Sequence, residues 1–433
     1  MGWESLLALS IILITVLLLS GVWIPFAIGI TGLVLLVAKG GISELNALGL
    51  TVWGGTNSFM LTSLPLFVFM AEILIVSGVG QRFYDGLAKL TWRLPGGLLQ
   101  SNIAGCAMFA AISGSSVATA ASIGSVALPQ LKSRGYDIRM ATGSLAAGGT
   151  LGILIPPSGA MILYGTFTET SIVKLFLAGI IPGLLLAAIF MVYIGIRATV
   201  SPGLAPRDEI KQSWRQVFSE FVKLLPFIGL IGAVLGSMYA GLATPTEAAA
   251  IGATAGILIS AKWGNFSFRI LWDAASRSVG SSCTILLIVA MAFIFSYAIN
   301  NAQIGTKLAD ALIAQKLDRV GFLIAIYVMY AILGCIMDSV GMIMITVPLL
   351  FPTIVALGID PIWFGILLVL QVELGQITPP FGINLFVVQG IAKCKLGDVI
   401  IGCIPYFFIF IAYVVLITVY PDIVLWLPKL ASK

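Results

Sequence analysis

The chain has no histidine among its 433 residues, and only 9% of them are charged. The first absence removes a common general base, a common metal ligand and a common proton relay. A hydrolase built on Ser115 would have no histidine to activate it, and Asp338 has no second aspartate at matching depth to form a carboxylate dyad. The second absence leaves too few ionisable groups to coat a soluble surface. With 59% hydrophobic residues and a mean hydropathy of +1.09, the chain belongs in a bilayer. The five cysteines (Cys106, Cys283, Cys335, Cys394, Cys403) have neither metal-ligand spacing nor a disulfide pattern, and they receive no role. Leu6 to Leu19 lacks a basic flank and a small-residue cleavage site, so it reads as a retained span.

What the chain does contain, it contains twice. Pro182 and Pro405 lie 223 residues apart, and the same offset relates Pro156-Pro157 to Pro379-Pro380 and Gly135 to Gly358. Gly80…Asp85 and Gly305…Asp310 extend the correspondence upstream with small insertions. Two halves of similar length thus carry one architecture, which in membrane proteins points to a binding site at the repeat interface.

Apolar runs predict spans near 5–21, 23–38, 58–78, 139–168, 176–199, 224–241, 245–261, 278–300, 361–391 and 397–420, those at 139–168 and 361–391 being interrupted. Segments 97–133 and 321–355 carry small polar residues at their middles and read as re-entrant hairpins. Five crossings per half invert the second copy relative to the first. With the N-terminus outside, 16 of the 23 basic residues fall on inner loops and 7 outside, which favours both termini outside. The net charge of +5 reflects this bias and gives no sign of nucleic-acid binding.

The expected fold is an all-α polytopic membrane protein with two inverted repeats, 1–200 and 224–433, joined by a cytoplasmic connector at 201–223. Each repeat holds spans, an interfacial arm helix, a hairpin and a broken helix. In the first arm, Phe83, Leu87, Leu90 and Leu94 recur at helical spacing while Arg82, Asp85, Lys89 and Arg93 stay polar; the arms are placed at 80–93 and 303–319.

The chemistry concentrates where the spans break. Pro156-Pro157 removes two backbone donors, freeing the carbonyls of Gly152 and Ile153, and Pro379-Pro380 does the same for Gly375 and Gln376. Unwound backbone at membrane depth must be buried in protein or line a wet cavity. A proline kink is the plain alternative, but a double proline beside glycine in both copies favours a site. The hairpin tips supply Ser113, Gly114, Ser115 and Ser116 in one half and Asp338, Ser339 and Gly341 in the other. Ser122 and Ser125 suit helix packing better. Hard cations such as Na⁺ take several oxygen ligands, and helix N-termini favour an anionic substrate. One cation half-site is expected from Ser113, Gly114, Ser115 and Ser116 with Gly152. The other is expected from Asp338, Ser339 and Gly341 with Gly375 and Thr378. Glu72, Glu373 and Asp338 leave proton coupling open. Substrate contacts are placed at Pro156, Pro157, Ser158, Pro379, Pro380 and Asn384. Asn300 and Asn301 either cap a helix or face substrate, whereas Thr244, Pro245 and Glu247 form a helix-capping box.

At Ser113-Gly-Ser-Ser-Val-Ala-Thr-Ala120, Gly152-Ile-Leu-Ile-Pro-Pro-Ser158, Leu242-Ala-Thr-Pro-Thr-Glu-Ala-Ala249 and Gly375-Gln-Ile-Thr-Pro-Pro-Phe-Gly-Ile-Asn384 the chain resembles the large membrane subunit of the tripartite ATP-independent periplasmic (TRAP) transporters, the DctM-like family. The resemblance runs nearly end to end. It implies a transporter and no enzyme, located in a bacterial inner membrane, with Na⁺ as coupling ion and no cofactor. It implies an elevator mechanism, which puts about 97–168 and 321–391 in a moving transport domain and the other spans and arms in a scaffold. It also implies a separate small four-helix membrane subunit, a periplasmic substrate-binding protein, and uptake of small organic anions such as C4-dicarboxylates or sialic acid. A stand-alone Na⁺- or H⁺-coupled anion transporter of the same fold is the alternative.

Overall fold

A computed structural model describes residues 1–206, 214–315 and 318–431, the side chains of 214–216 excepted, and among these residues there are helices and no strand. Helices α1 (Trp3–Leu19) and α2 (Ile24–Gly40) lead through a 3₁₀ turn at Ile42–Ala47 to α3 (Leu48–Thr56). A second turn at Phe59–Thr62 precedes α4 (Ser63–Val76) and the arm α5 (Val79–Thr91). The first hairpin is α6 (Leu98–Ser113) and α7 (Ser116–Ser133); the first broken pair is α8 (Ile138–Gly149) and α9 (Gly159–Thr168), followed by α10 (Ile172–Val200). Beyond the connector come α11 (Trp214–Tyr239), α12 (Pro245–Trp263), α13 (Phe268–Asn301) and the arm α14 (Ile304–Ala314). Then follow the second hairpin, α15 (Arg319–Leu333) and α16 (Ser339–Ala356), the broken pair α17 (Pro361–Gln376) and α18 (Ile383–Ala392), α19 (Leu396–Val419) and α20 (Asp422–Ala431). Arm, hairpin, broken pair and long helix thus occur in the same order in both halves.

Side-chain oxygens at N-caps set many of these starts. Ser115, Asp137, Ser158, Asp318, Asp338 and Asp360 each accept a backbone N–H from the first turn of the helix they precede. The Thr244 capping box forms as expected: the Glu247 N–H donates to Thr244 Oγ1 (3.3 Å) and the Thr244 N–H to Glu247 Oε2 (2.8 Å).

The structure departs from the expected boundaries at several points. Helix α13 starts ten residues before the predicted 278, because a helix capped by Ser267 continues through Arg269, Asp273 and Arg277 regardless of where the apolar stretch begins. The exposed α3 and the terminal α20 were not expected, being too short to register as spans. Residues 214–223 of the expected connector belong to α11, and 207–213 of it, with Arg207 and Lys211, lie outside the described residues, as do residues 316–317 of the second arm, Lys316 included.

Among the described residues, six helical segments are long and apolar enough to cross a bilayer: 59–76, α10, 217–239, α13, α16 and α19. The chain is a multi-pass membrane protein. Packing gathers the helices into two groups, which meet where α16 lies against α13 and α6 against α4. Helix α13 lies along α2 and α4, and α12 along α4 and α11. In the other group the halves interleave: α7 packs on α18, α8 on α19, and α9 on α16 and α17. Arm α5 touches both groups, through Lys89 to Glu220 on α11 (2.8 Å) and through Tyr84 Oη to Asn102 Oδ1 on α6 (2.8 Å).

Glycine makes the closest of these approaches. A β-carbon at Gly402 would overlap the Arg139 carbonyl oxygen, and one at Gly143 would overlap the Gly402 carbonyl, so α8 and α19 meet backbone to backbone. Arg139 Nε closes this contact at its end on Asp398 Oδ1 (3.0 Å). Gly179, the counterpart of Gly402 at the repeat offset, packs likewise on the Leu154 carbonyl. Gly402→Val is therefore expected to destabilise the fold by about 1–3 kcal/mol or more, as overpacking against backbone does. Gly229→Ala, with nothing nearby to meet an added carbon, serves as control. Thermal unfolding in detergent checks the pair; equal midpoints would refute the packing argument.

Candidate functional site

The first tip rests on the first break. Gly114, at φ +59°, occupies the left-handed region that favours glycine, and a β-carbon there would lie 2.8 Å from the Pro157 carbonyl oxygen. A β-carbon at Gly152 would lie 2.5 Å from the Ser115 carbonyl oxygen and 2.7 Å from Ser116 Cα. Both glycines are thus required by backbone contact between tip and break. The N–H groups of Leu154 and Ile155 both return to the Leu151 carbonyl (3.2 and 3.0 Å), and Pro156 and Pro157 have none to give, so the carbonyls of Gly152 and Ile153 lack helical partners, as expected.

The second break differs in one respect. The Gly375 carbonyl accepts the Thr378 N–H (3.1 Å), so this oxygen, expected to be free, already has one partner and offers its second lone pair only. Thr378 Oγ1 donates to the Leu374 carbonyl (2.7 Å). At the second hairpin, Gly334 packs against Gly375 Cα, joining the end of α15 to the break. Asp338 caps α16, its Oδ1 accepting the Gly341 N–H (3.2 Å).

The hydroxyls of the first tip are largely engaged. Ser113 Oγ shares a hydrogen bond with Thr119 Oγ1 (2.6 Å), and the Oγ atoms of Ser115 and Ser158 cap α7 and α9 by accepting the N–H groups of Ala118 and Met161 (each 3.4 Å). Ser116, 2% exposed, reaches across to the other half of the chain: its Oγ lies 2.9 Å from Glu373 Oε2 and 3.0 Å from the Gly149 carbonyl, and it accepts from Asn384 Nδ2 at 2.7 Å. Glu373 is fully buried, and its Oε1 accepts the Ile153 N–H (3.3 Å). Among the described residues no three His, Cys, Asp or Glu side chains converge, so an ion here would rest mainly on carbonyls and hydroxyls.

A cavity of about 100 Å³ lies between the tips. Ser113, Gly114 and Ser115 line it from the first hairpin, Ser339 and Val340 from the second, and Ile153, Pro157, Gly159 and Ala160 from the first break. Leu64, Phe67 and Val68 of α4 and Ile285 of α13 close the opposite wall. The starts of three helices, α7, α9 and α16, thus border one small space. The dipoles of these helix starts favour negative charge there, and at α16 the Asp338 carboxylate already accepts the Gly341 N–H.

Of the expected substrate residues, Pro157 lines this cavity between Pro156 and Ser158, and the other five are placed apart from it. Pro379 and Pro380 sit at the second break, Pro380 exposed, and Asn384 is buried behind the first tip. Asn300 is exposed near the end of α13, and Asn301 Nδ2 donates to Glu44 Oε2 (2.7 Å), joining α13 to the 42–47 turn. The residue that sequence reasoning left out of the site is Glu373. Its signal was an ionisable group in the middle of an apolar span, weighed only as a titrating candidate.

Comparison with known proteins decides the family. The profile described as "Tripartite ATP-independent periplasmic transporter, DctM component" matches residues 11–423. The chain belongs to this family. The DctM relatives include the C4-dicarboxylate TRAP transporter large permease protein DctM of Rhodobacter capsulatus, 33% identical over 433 residues and covering 96% of this chain and 98% of that one. The isethionate TRAP transporter permease protein DctMQ of Oleidesulfovibrio alaskensis is 31% identical over 94% of this chain, which spans 64% of its length. Among solved structures, the Alcanivorax borkumensis YdaH transporter matches with a TM-score of 0.65 at 18% identity, over 94% of this chain and 98% of that one, a likeness of fold alone. DctM relatives are transporter permease subunits, and this chain is read as a transport protein and not an enzyme.

Proposed function

We propose that this DctM chain is the translocating subunit of a Na⁺-coupled uptake system for small organic anions, receiving substrate from a periplasmic binding protein and working with a small membrane subunit. The observation that carries the anion reading is the cavity bordered by the starts of α7, α9 and α16. It suits a carboxylate or sulfonate through the dipoles of these helix starts, in keeping with the C4-dicarboxylate and isethionate named for relatives. The substrate itself enters as a small organic anion, with no single compound favoured.

Cation binding is assigned to the first tip with the Gly152 carbonyl and to Asp338, Ser339 and Gly341 with Gly375 and Thr378. The carbonyls of Gly152 and Ile153, without helical partners, and the second lone pair of the Gly375 carbonyl support it. The second half is read as inverted relative to the first, with both termini periplasmic in a bacterial inner membrane, on the positive-inside count. The moving unit is read as the interleaved group, and α10 and α19 are added to the expected 97–168 and 321–391. Backbone contacts at Gly402 and Gly179 bind these two helices to the broken spans. Helices α1, α2, α4 and α11–α13 form the scaffold together with the arms α5 and α14.

Replacing Na⁺ by choline in proteoliposomes is expected to abolish concentrative uptake, while a protonophore leaves it intact. Uptake that persists in choline and collapses with the protonophore would overturn Na⁺ coupling in favour of protons.

A further inference from the structure

Glu373 stands two residues before Gly375 on α17, in the second half, yet both of its carboxylate oxygens are spent on the first half. Oε2 meets Ser116 Oγ at the start of α7 (2.9 Å), and Oε1 accepts the N–H of Ile153, the residue after Gly152 (3.3 Å). On the far side of the second break, Asn384 Nδ2 donates to the same Ser116 Oγ (2.7 Å). The first tip is therefore gripped by both flanks of the second break, through side chains that are 0–2% exposed. A serine hydroxyl has a single proton, and Ser116 faces two acceptors, Glu373 Oε2 and the Gly149 carbonyl (3.0 Å). Its bond to one is made at the expense of the other. This gives the contact two discrete arrangements, the kind of element through which two sites influence each other.

We infer that Glu373 is a positioning residue that couples the two cation half-sites, so that occupancy of one raises the affinity of the other. The inference rests on the ion reading proposed above. A cation that orders the first tip fixes Ser116 and, through Glu373, the end of α17 where Gly375 lies; the converse holds for a cation at the second break.

The test is binding of radiolabelled Na⁺ to the full-length chain with its small membrane subunit in lipid nanodiscs, titrated against choline. Wild type is expected to bind with a Hill slope above one. Glu373→Leu, which removes both acceptors, is expected to lower the slope to about one and weaken the midpoint by at least about fivefold, the lower end of ordinary site-to-site coupling. Glu373→Gln keeps an acceptor for Ile153 and a polar partner for Ser116, and it should retain most of the slope. Thermal unfolding in choline measures any purely structural loss, which by itself leaves the slope unchanged. If the leucine variant does not fold, Glu373→Asp replaces it, because the shorter carboxylate cannot span Ser116 and Ile153 together and should also lower the slope. A wild-type slope of one, or a slope and midpoint unmoved by these variants, overturns the coupling role alone. Absence of saturable Na⁺ binding in wild type overturns the ion reading and this inference with it.

Discussion

Gly152→Val is expected to reduce Na⁺-driven uptake by about a hundredfold or more, the scale of effect that a displacement of about 1 Å has at a working site. The added carbon meets the Ser115 carbonyl at 2.5 Å and Ser116 Cα at 2.7 Å, and these atoms are backbone and cannot rotate away. Tip and break must separate, taking Ser116 from Glu373 and reshaping the cavity wall at Ile153 and Pro157. Gly390→Ala, on α18 with open space around the added carbon, should transport normally. Size-exclusion profiles and thermal unfolding distinguish loss of function from loss of fold. A folded Gly152→Val protein with wild-type uptake would show that contact between tip and break is dispensable.

Locking the two helix groups together should have an effect as large. The rings of Phe167 on α9 and Phe293 on α13 stack at 4.5 Å across the boundary between the groups. Cysteines at these two positions, in a chain freed of its five native cysteines, should be bridged by a short thiol cross-linker. Uptake is then expected to stop in proportion to the cross-linked fraction, to recover when a cleavable linker is reduced, and to leave docking of the binding protein unchanged. Full cross-linking with undiminished uptake would mean that α9 does not move against α13 during transport.

Much of this arrangement was legible in the sequence because it is local or periodic. The double prolines remove donors wherever they stand, Thr244, Pro245 and Glu247 announce the helix that follows them, and the 223-residue offset aligns the landmarks of the two halves. Contacts between the halves were not legible. Ser116 and Glu373 are 257 positions apart, and nothing in the spacing around either names the other. The same holds for Asn301, whose partner Glu44 sits in a turn that carried no strong pattern. Grouping α10 and α19 with the broken spans depended on which glycines face backbone, and a sequence shows the glycine without its neighbour. The free carbonyl expected at Gly375 was a local inference that overreached, because the chain could still close a four-residue turn through Thr378 before the prolines began.

The proposed function has this chain moving an anion handed to it by a binding protein, at the expense of a Na⁺ gradient. It is tested most directly by reconstituting the chain with its small membrane subunit in liposomes, with an inward Na⁺ gradient. A panel of labelled organic anions, including a C4-dicarboxylate, isethionate and sialic acid, would be offered with and without the cognate binding protein. Uptake of one of these anions only when both the binding protein and the Na⁺ gradient are present is the predicted result. Equal uptake without the binding protein would contradict it and identify a stand-alone anion transporter of the same fold.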